Sequence, residues 1–577
     1  MEYLTLFTIG PVQSFIAQAR KLQDLHAGSF LLSYLSKKTM ANAQSLGAKV
    51  IFPDPALESA PNRFLMISKR EDIYALQDFC VILRNYVHDE WENIAKTVLR
   101  NVNLKYSDAV KTQIQSLLQI YYASEPYSGG EDYGKCYSNL IKRLGSAKML
   151  RGFTQLDEGS GRKCGLMYEY NALFYREKQE NAKPGFVVDE AQIVTAYNIP
   201  EQRIDKYIQP GETLSAPAFI KRCLSYAYIE GYDDMFPSVS NVACMAQLNE
   251  LSSKQPELSD AIKRVSSEPM PLMTQDDNDI ESTGSKALID DYAAVRRAAR
   301  KQGIVLSPYY AIVIFDGDDM GMWYSAPPIH IKAMTERFQA RLSVMLSEFA
   351  AKNSRLVVDW KRQKNGAVIY AGGEDFLGAM NIRNVLGALK KLREMFGSID
   401  LNEYTCQKLT FSAGVVLAHV KTPLSDVLNI AREAEHKAKT HPNKDAYCLT
   451  VAKHSGEVTD FVQPFYNKDR RVCSLDILDR MVGIIVDEGL STKFIFQLGM
   501  KLGRLIETGS GAIHKEIFLI EAKRLLTHSK YQDESKKPLI ITEICSLLES
   551  MINDVGTNDM LIFLRAVAFI ARERGAA

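Results

Sequence analysis

No two of the nine cysteines (80, 136, 164, 223, 244, 406, 448, 473 and 545) stand at Cys-x-x-Cys spacing, and their number is odd. That excludes a disulfide scaffold and a locally assembled zinc site, which needs four thiolate or imidazole ligands, and it reads as reduced thiols in a cytosol. Neither sign of charge is in excess: 70 Lys and Arg stand against 69 Asp and Glu, a net charge of +1. No global field therefore draws the chain onto nucleic acid or an anionic membrane, and any RNA contact must be local or come through partners. The start, MEYLTLFTIGPVQSF, lacks a basic region followed by an apolar stretch, and no run of about 18 uninterrupted apolar residues occurs. On this reading there is no membrane partner, and a cytoplasmic location is expected.

What is present is a folding chain of 577 residues, 46% hydrophobic and 24% charged, the balance of a globular protein. At roughly 100 to 200 residues per domain, about three to five domains are expected. Residues 1–150 open with an alternating strand, Tyr3 to Ile9, stopped by Gly10-Pro11. Pro at a first helical position starts a helix with Val12, Phe15, Ile16 and Ala19 on one face. A helix from about Ser29 to Gln44, strands at 49–52 and 63–68, and an amphipathic helix over 73–100 make this a compact α+β unit. Stretches rich in Gly and Ser at 127–134 and 159–165 mark a boundary. Residues 151–295 read as a linking α/β segment. It ends in the acidic stretch 275–285, with Asp276, Asp277, Asp279 and Glu281, which lacks the Gly turn of a Ca²⁺ loop and reads as an exposed linker.

Residues 296–460 carry the strongest pattern. The apolar strand Tyr309 to Phe315 runs into Asp316-Gly317-Asp318-Asp319-Met320-Gly321. A helix from about Ile329 to Ala351, strands at 355–361 and 367–370, the turn Gly372-Gly373-Glu374-Asp375, a helix over 385–396 and a strand over 409–417 follow, in the order βαββαβ. A helix over 424–439 and a strand over 446–452 extend it, and residues 461–577 read as helices. Adjacent strands bring the two acidic tips together into a small, hard, oxygen-lined site of the kind that suits Mg²⁺ with phosphates as further ligands. Asp316, Glu374 and Asp375 are the expected catalytic acids and metal ligands, with Gly317 beside them. Gly372 and Gly373 leave room for a triphosphate to approach the backbone. On its own the tetrapeptide could equally be a tight hairpin with solvated acids; strand-end Asp316, the βαββαβ frame and the helix ending at Lys439 favour the site. Lys439 is expected to reach a phosphate, although a solvated helix face remains open for it.

The segments TIGPVQSFIAQARKLQDLHAGSFLLSYL, IFPDP, NRF, FPSVSNVA, FDGDDMG, YAGGEDF and FSAGVVLAHVKTPLSDVLNIAREAEHKAK, in this order, resemble the large palm-polymerase subunit of type III CRISPR effector complexes, of the III-B (Cmr) lineage. The resemblance implies an α+β multidomain protein with two ferredoxin-like palm or cyclase domains, 1–150 and 296–460. A linking domain, 151–295, and a C-terminal helical domain, 461–577, complete it. It implies a target-RNA-activated nucleotidyltransferase that turns ATP into an adenylate second messenger, cyclic oligoadenylate, with Mg²⁺ (or Mn²⁺). One alternative is joining AMP to S-adenosylmethionine; another is an inactive RNA-binding scaffold. The implied partners are guide RNA, target RNA, a guide-end-binding subunit and a small subunit on the helical domain. The family's strand-end Asp falls on Asp316, and its GGDD pair on Glu374 and Asp375. Asp318 and Ser412 join Gly372, Gly373 and Lys439 as nucleotide contacts, and Gln13, Ser14 and Arg20 would serve a second nucleotide on the first palm.

Two departures stand out. A form without the family's His-Asp nuclease domain is expected, because the sequence opens directly on the first expected palm and His88-Asp89 falls inside an expected amphipathic helix without the other ligands. The linking domain's zinc motif is degenerate, with Cys164 and Cys223 each alone, so no zinc is expected.

Overall fold

A computed structural model describes the chain apart from residues 58, 131–132, 151–155, 179–189, 268, 274–285, 324–333, 359–364, 468–471, 509–513 and 576–577. The acidic stretch at 275–285 and the start of the helix expected from Ile329 lie outside the described residues. Helices of ten residues or more are numbered.

The first unit runs β1 (Glu2–Gly10), α1 (Leu22–Ser45), β2 (Ala48–Phe52), β3 (Arg63–Lys69), α2 (Ile73–Asn101), α3 (Asp108–Leu117), β4 (Gln119–Pro126) and α4 (Tyr133–Met149). Its antiparallel sheet has the order β2-β3-β1-β4. Because side chains alternate along a strand, β1 feeds two cores. Leu4 and Leu6 join the large core that continues into the second sheet, whereas Tyr3, Phe7 and Ile9 pack with α1 and α2. The helix after Pro11 is short, Gln13–Ala17, and α1 begins at Leu22 rather than near Ser29. The cause is Asp24, whose carboxylate accepts from the backbone N–H groups of Arg20 (3.0 Å) and Lys21 (3.3 Å) and so caps the helix earlier.

The linking segment holds a small sheet of β5 (Phe174–Tyr175), β6 (Gln192–Ile193) and β7 (Thr213–Leu214), then α5 (Val239–Lys254) and α6 (Lys286–Lys301). It is tied to the first unit by a buried ion network. Arg222 meets Asp24 at 2.5 and 2.8 Å and Glu212 at 3.0 Å, and Lys221 donates to the carbonyls of Phe15 and Gln18 at 2.7 Å.

The second sheet is built from β8 (Tyr309–Gly317), α7 (Glu336–Val358), β9 (Gly366–Ala371), β10 (Asp375–Asn381), α8 (Val385–Gly397), β11 (Phe411–His419), α9 (Leu424–Lys439), β12 (Ala446–Ala452) and β13 (Val458–Pro464). The strand order is β13-β12-β11-β8-β10-β9, antiparallel except for the β11–β12 pair. The βαββαβ order holds, but the strand expected at 355–361 is instead the end of α7 as far as Val358. The apolar spacing of α7 explains it: Phe338, Leu342, Leu346, Phe349, Asn353 and Val357 are all buried at helical intervals, and this face overrides the β-propensity of Leu356-Val357-Val358. The hairpin is therefore β9 with β10, and the Gly-Gly-Glu-Asp segment is its turn.

The sheet continues through β13 to Pro464, past the boundary near residue 460. Five helices follow: α10 (Ser474–Asp487), α11 (Lys493–Thr508), α12 (Lys515–Thr527), α13 (Lys537–Val555) and α14 (Thr557–Arg574). They share the large core with one face of the sheet. The first unit and the second sheet's unit meet across α7. Asp54 N–H donates to Ser343 Oγ at 2.7 Å, Lys49 pairs with Glu336 at 2.5 Å, and the Tyr133 hydroxyl bonds Gln339. Among the described residues no helix is long and apolar enough to cross a membrane.

Candidate active site

The site is the tip shared by β8 and the β9–β10 hairpin. In the antiparallel register Asp375 stands directly opposite Asp316, so the two carboxylates leave the sheet on the same face. The turn is closed by Gly372 N–H donating to the Asp375 carbonyl at 3.1 Å and is clamped to β8 by Gly317 N–H donating to the Glu374 carbonyl at 2.9 Å. Gly373 has φ +110°, the positive value that the first central position of a tight hairpin turn requires. A Cβ at Gly372 would run into the Tyr370 hydroxyl and the Asp375 carboxylate.

Enclosure at this tip raises Glu374 above the ordinary carboxylate range, with the Asp316 charge adding to it and Arg63 of the first palm pulling the other way. Asp375 is raised well above that range by enclosure first and then by the charges of Glu374 and Asp316. Repulsion of this kind is relieved by a cation. Lys439, at the C-terminal end of α9, is that cation for Asp316: its ammonium bonds Asp316 and, at 2.8 Å, Glu435. Burial alone would lower Lys439, but these bonds hold it above the usual lysine value. Gly414 on β11 makes the placement possible, because a Cβ there would collide with the backbone of α9 at Ala431 and Glu435.

Asp318 and Ser412, expected as nucleotide contacts, are buried and bonded to each other. The Asp318 carboxylate accepts from Ser412 Oγ (2.7 Å), Thr410 Oγ1 (2.7 Å) and the Asp445 N–H (2.9 Å). It braces the loop after β8 against β11 and the turn before β12, and its polar atoms are already engaged. Arg393 extends the brace with bonds of 2.5 and 2.8 Å to Asp445, and Lys444 pairs with Asp319. None of this could be read from local spacing, since the partners lie 92 to 127 residues apart.

Gln13, Ser14 and Arg20, expected to serve a second nucleotide, lie on the first unit at and after the short helix Gln13–Ala17. Arg20 is engaged with the linking segment, meeting Glu212 at 3.4 Å and the Gly165 carbonyl at 3.3 Å. Gln13 and Ser14 are exposed on the short helix. Tyr370 and Arg63, which the sequence did not single out, do lie at the acidic hairpin.

Among the described residues no group of three or more His, Cys, Asp or Glu side chains is arranged as a ready metal cage. The donor set that fits a divalent cation is the facing pair Asp316 and Asp375, because Mg²⁺ is held by one or two carboxylates with water and phosphate oxygens completing the shell.

Residues 4–96 match the family model described as CRISPR-associated protein Cmr2, N-terminal, and residues 309–448 match Cas10/Cmr2, second palm domain. Over 198 residues the chain is 29% identical to the CRISPR system Cmr subunit Cmr2 of Pyrococcus furiosus, a match covering 28% of this chain and 21% of that protein. The match thus spans about a fifth of the length of that relative. The fold is similar to that in a cryo-EM structure of Type III-B Cmr-beta in the apo state, with a TM-score of 0.64 at 15% identity, covering 92% of this chain and 78% of the other. It is also similar to that in Type III-B Cmr-beta bound to cognate target RNA, with a TM-score of 0.65 at 15% identity, covering 95% and 83%. β1 to α2 are thus similar to the Cmr2 N-terminal domain, and the Asp316 strand, the acidic hairpin and the Lys439 helix to the second palm domain of Cas10/Cmr2.

Proposed function

We propose that this chain is the nucleotidyltransferase of a type III-B effector complex, converting ATP into an adenylate second messenger, cyclic oligoadenylate, when guide and target RNA are bound. The observation that carries this reading is the facing pair Asp316 and Asp375 at a glycine hairpin inside a matched palm. Mg²⁺ or Mn²⁺ held by these two acids, with Glu374 beside them, supplies Lewis-acid stabilisation of the phosphoryl charge. The backbone of Gly372 and Gly373 gives the phosphates close approach, and Lys439 is placed to neutralise a phosphate oxygen. In the reaction a ribose hydroxyl of one ATP attacks the α-phosphate of another. The O–P bond to the acceptor forms, the bond to pyrophosphate breaks, and the hydroxyl proton leaves to a carboxylate or water. The catalytic acids are intact, which favours an enzyme over an inert scaffold.

The partners are argued from the same family. The fold similarity to an assembly that binds cognate target RNA supports guide RNA, target RNA and further subunits as partners of this chain. Because the cleft lies between two palms that meet across α7, RNA binding can set its geometry, and positioning of this kind contributes several kcal/mol. The test is ATP turnover in the assembled complex with complementary RNA. Asp316→Ala, or Glu374→Ala with Asp375→Ala, should reduce it about 10²-fold or more while assembly persists. Full turnover in the double variant would refute the site, and equal turnover by the isolated chain without RNA would refute the gating.

A further inference from the structure

The residues after Asp316 and the turn after Lys439 are tied together at three points. Besides the Lys439–Asp316 bond, Asp318 accepts from the Asp445 N–H at 2.9 Å, and Lys444 pairs with Asp319. Asp318 is fixed to β11 as well. Its N–H donates to the Thr410 carbonyl at 2.8 Å, and its carboxylate accepts from Ser412, the residue that stands opposite Asp316 in the β8–β11 register. The turn at 440–445 therefore helps to set where Asp316 and Lys439 lie.

That turn holds its backbone in an unfavourable form. Among the described residues five other than glycine have a positive φ, and three of them meet here: Asp319 (54°), Lys444 (48°) and Asp445 (46°). Left-handed backbone crowds Cβ against the following carbonyl oxygen, and Asp tolerates it better than Lys because a short acceptor can bond locally. Such residues persist only where their surroundings over-determine them.

Arg393 of α8 supplies the surroundings. Its guanidinium forks onto both Asp445 carboxylate oxygens at 2.5 and 2.8 Å, and the two side chains are only 6% and 13% exposed. The Asp445 carbonyl accepts from the Phe465 N–H at 2.9 Å, so the side chain, N–H and C=O of this one residue are all held. The guanidinium also faces the Phe465 and Tyr466 rings, just past β13. A buried ion pair and left-handed backbone outside glycine each work against stability. Stability alone does not account for finding both directly behind the strand tip.

We propose that Arg393 is a positioning residue for the acidic site. By clamping Asp445 it holds the strained turn, and through Asp318 and Asp319 it fixes Asp316 against Lys439. Its effect on turnover rests on the nucleotidyl-transfer reading above, whereas its effect on the two tied segments does not.

Arg393→Met keeps the apolar stem and removes the fork. In the RNA-bound complex it should lower kcat for ATP about tenfold or more while KM changes less than about twofold, because alignment of the acids is lost and not uniform binding. Arg393→Lys, which carries a point charge without the planar fork, should recover only part of the loss. Amide hydrogen exchange in the full-length chain supplies a second readout. Exchange at 316–322 and 440–446 should quicken about tenfold or more in Arg393→Met, with β1 unchanged. Asp445→Asn keeps a residue that tolerates the left-handed form and its N–H, but loses the ion pair. It should match Arg393→Met in both readouts, and it decides the matter if Arg393→Met does not fold. The double variant should be no worse than the stronger single one. Parental exchange in the two segments, faster exchange throughout the chain, or faster exchange there with parental kcat overturns the proposal. Faster exchange confined to the two segments, in a chain whose parent complex turns over no ATP, supports the clamp and removes the nucleotidyl-transfer reading instead.

Discussion

Lys439 in the last turn of α9 is bound to Asp316 at the tip of β8, 123 residues earlier in the chain. The pair links a helix end to a strand end and gives the acidic tip its own cation. If that ammonium also serves a phosphate, Lys439→Ala lowers ATP turnover by the RNA-bound complex about tenfold, and Lys439→Arg recovers most of it. Pyrophosphate release measured against ATP concentration checks this, and unchanged kinetics in Lys439→Ala would reduce the pair to a structural brace.

Gly372→Ala tests the hairpin. The added methyl meets the Tyr370 hydroxyl and the Asp375 carboxylate, so the two acids lose their register while the sheet core is untouched. Turnover is expected to drop about 10²-fold with the thermal midpoint nearly unchanged. A soluble variant with parental turnover would show that the turn tolerates a wider shape than the one described.

The buried network at Arg222 sets acid stability. Burial alone would raise Asp24, but the Arg222 charge and its hydrogen bonds outweigh it and hold the carboxyl below the ordinary range. A depressed carboxyl contributes stability that is present above its unfolded pKa and is lost as pH falls through the lowered folded value. Arg222→Ala leaves Asp24 and Glu212 buried without their partner and is expected to cost about 3 to 5 kcal/mol at neutral pH. Chemical denaturation at neutral and acid pH checks both statements, since the cost should shrink once Asp24 is protonated.

His419 makes a second pH-dependent seam. It ends β11, stacks on His454 at 4.3 Å, and accepts from the Lys421 N–H at Nδ1 (3.1 Å). Burial first, then the His454 and Lys421 charges, push it down to about 4. Its neutral form therefore contributes stability that is present above the ordinary histidine pKa and is lost as pH falls from about 6.5 towards 4. His419→Phe should flatten the melting temperature across that window, and a slope equal to the parent's would assign the effect to other groups.

The acidic tip was legible because an uninterrupted apolar strand ending in Asp316, and a Gly-Gly-Glu-Asp turn, are local patterns. The frame around it was less so. The reading of 355–361 as a strand followed β-branched residues, and only the partners of Phe338, Leu342 and Leu346 show that the helix continues. The strand Asp375–Asn381 escaped notice because Gly378 and Ala379 dilute its alternation, and its irregularity at Leu377/Gly378 breaks the period. Asp318, expected only as a nucleotide contact, carries a bonding pattern that its neighbourhood in the sequence does not show. Its partners Thr410, Ser412 and Asp445 come from distant parts of the chain, and no spacing announces them.

The two-faced burial of β1 bears on how this protein can be taken apart. Leu4 and Leu6 belong to a core that runs through α4 and on into the second sheet, whereas Tyr3, Phe7 and Ile9 pack with the first unit's other helices. A fragment cut between the two units would keep α4 over β1 but uncover β2, against which α7 packs, and so bare an apolar surface of the kind on which soluble proteins stick to one another. The halves are therefore not interchangeable cassettes, and chimeras that swap one palm must recut the opposing face of α7 along with it.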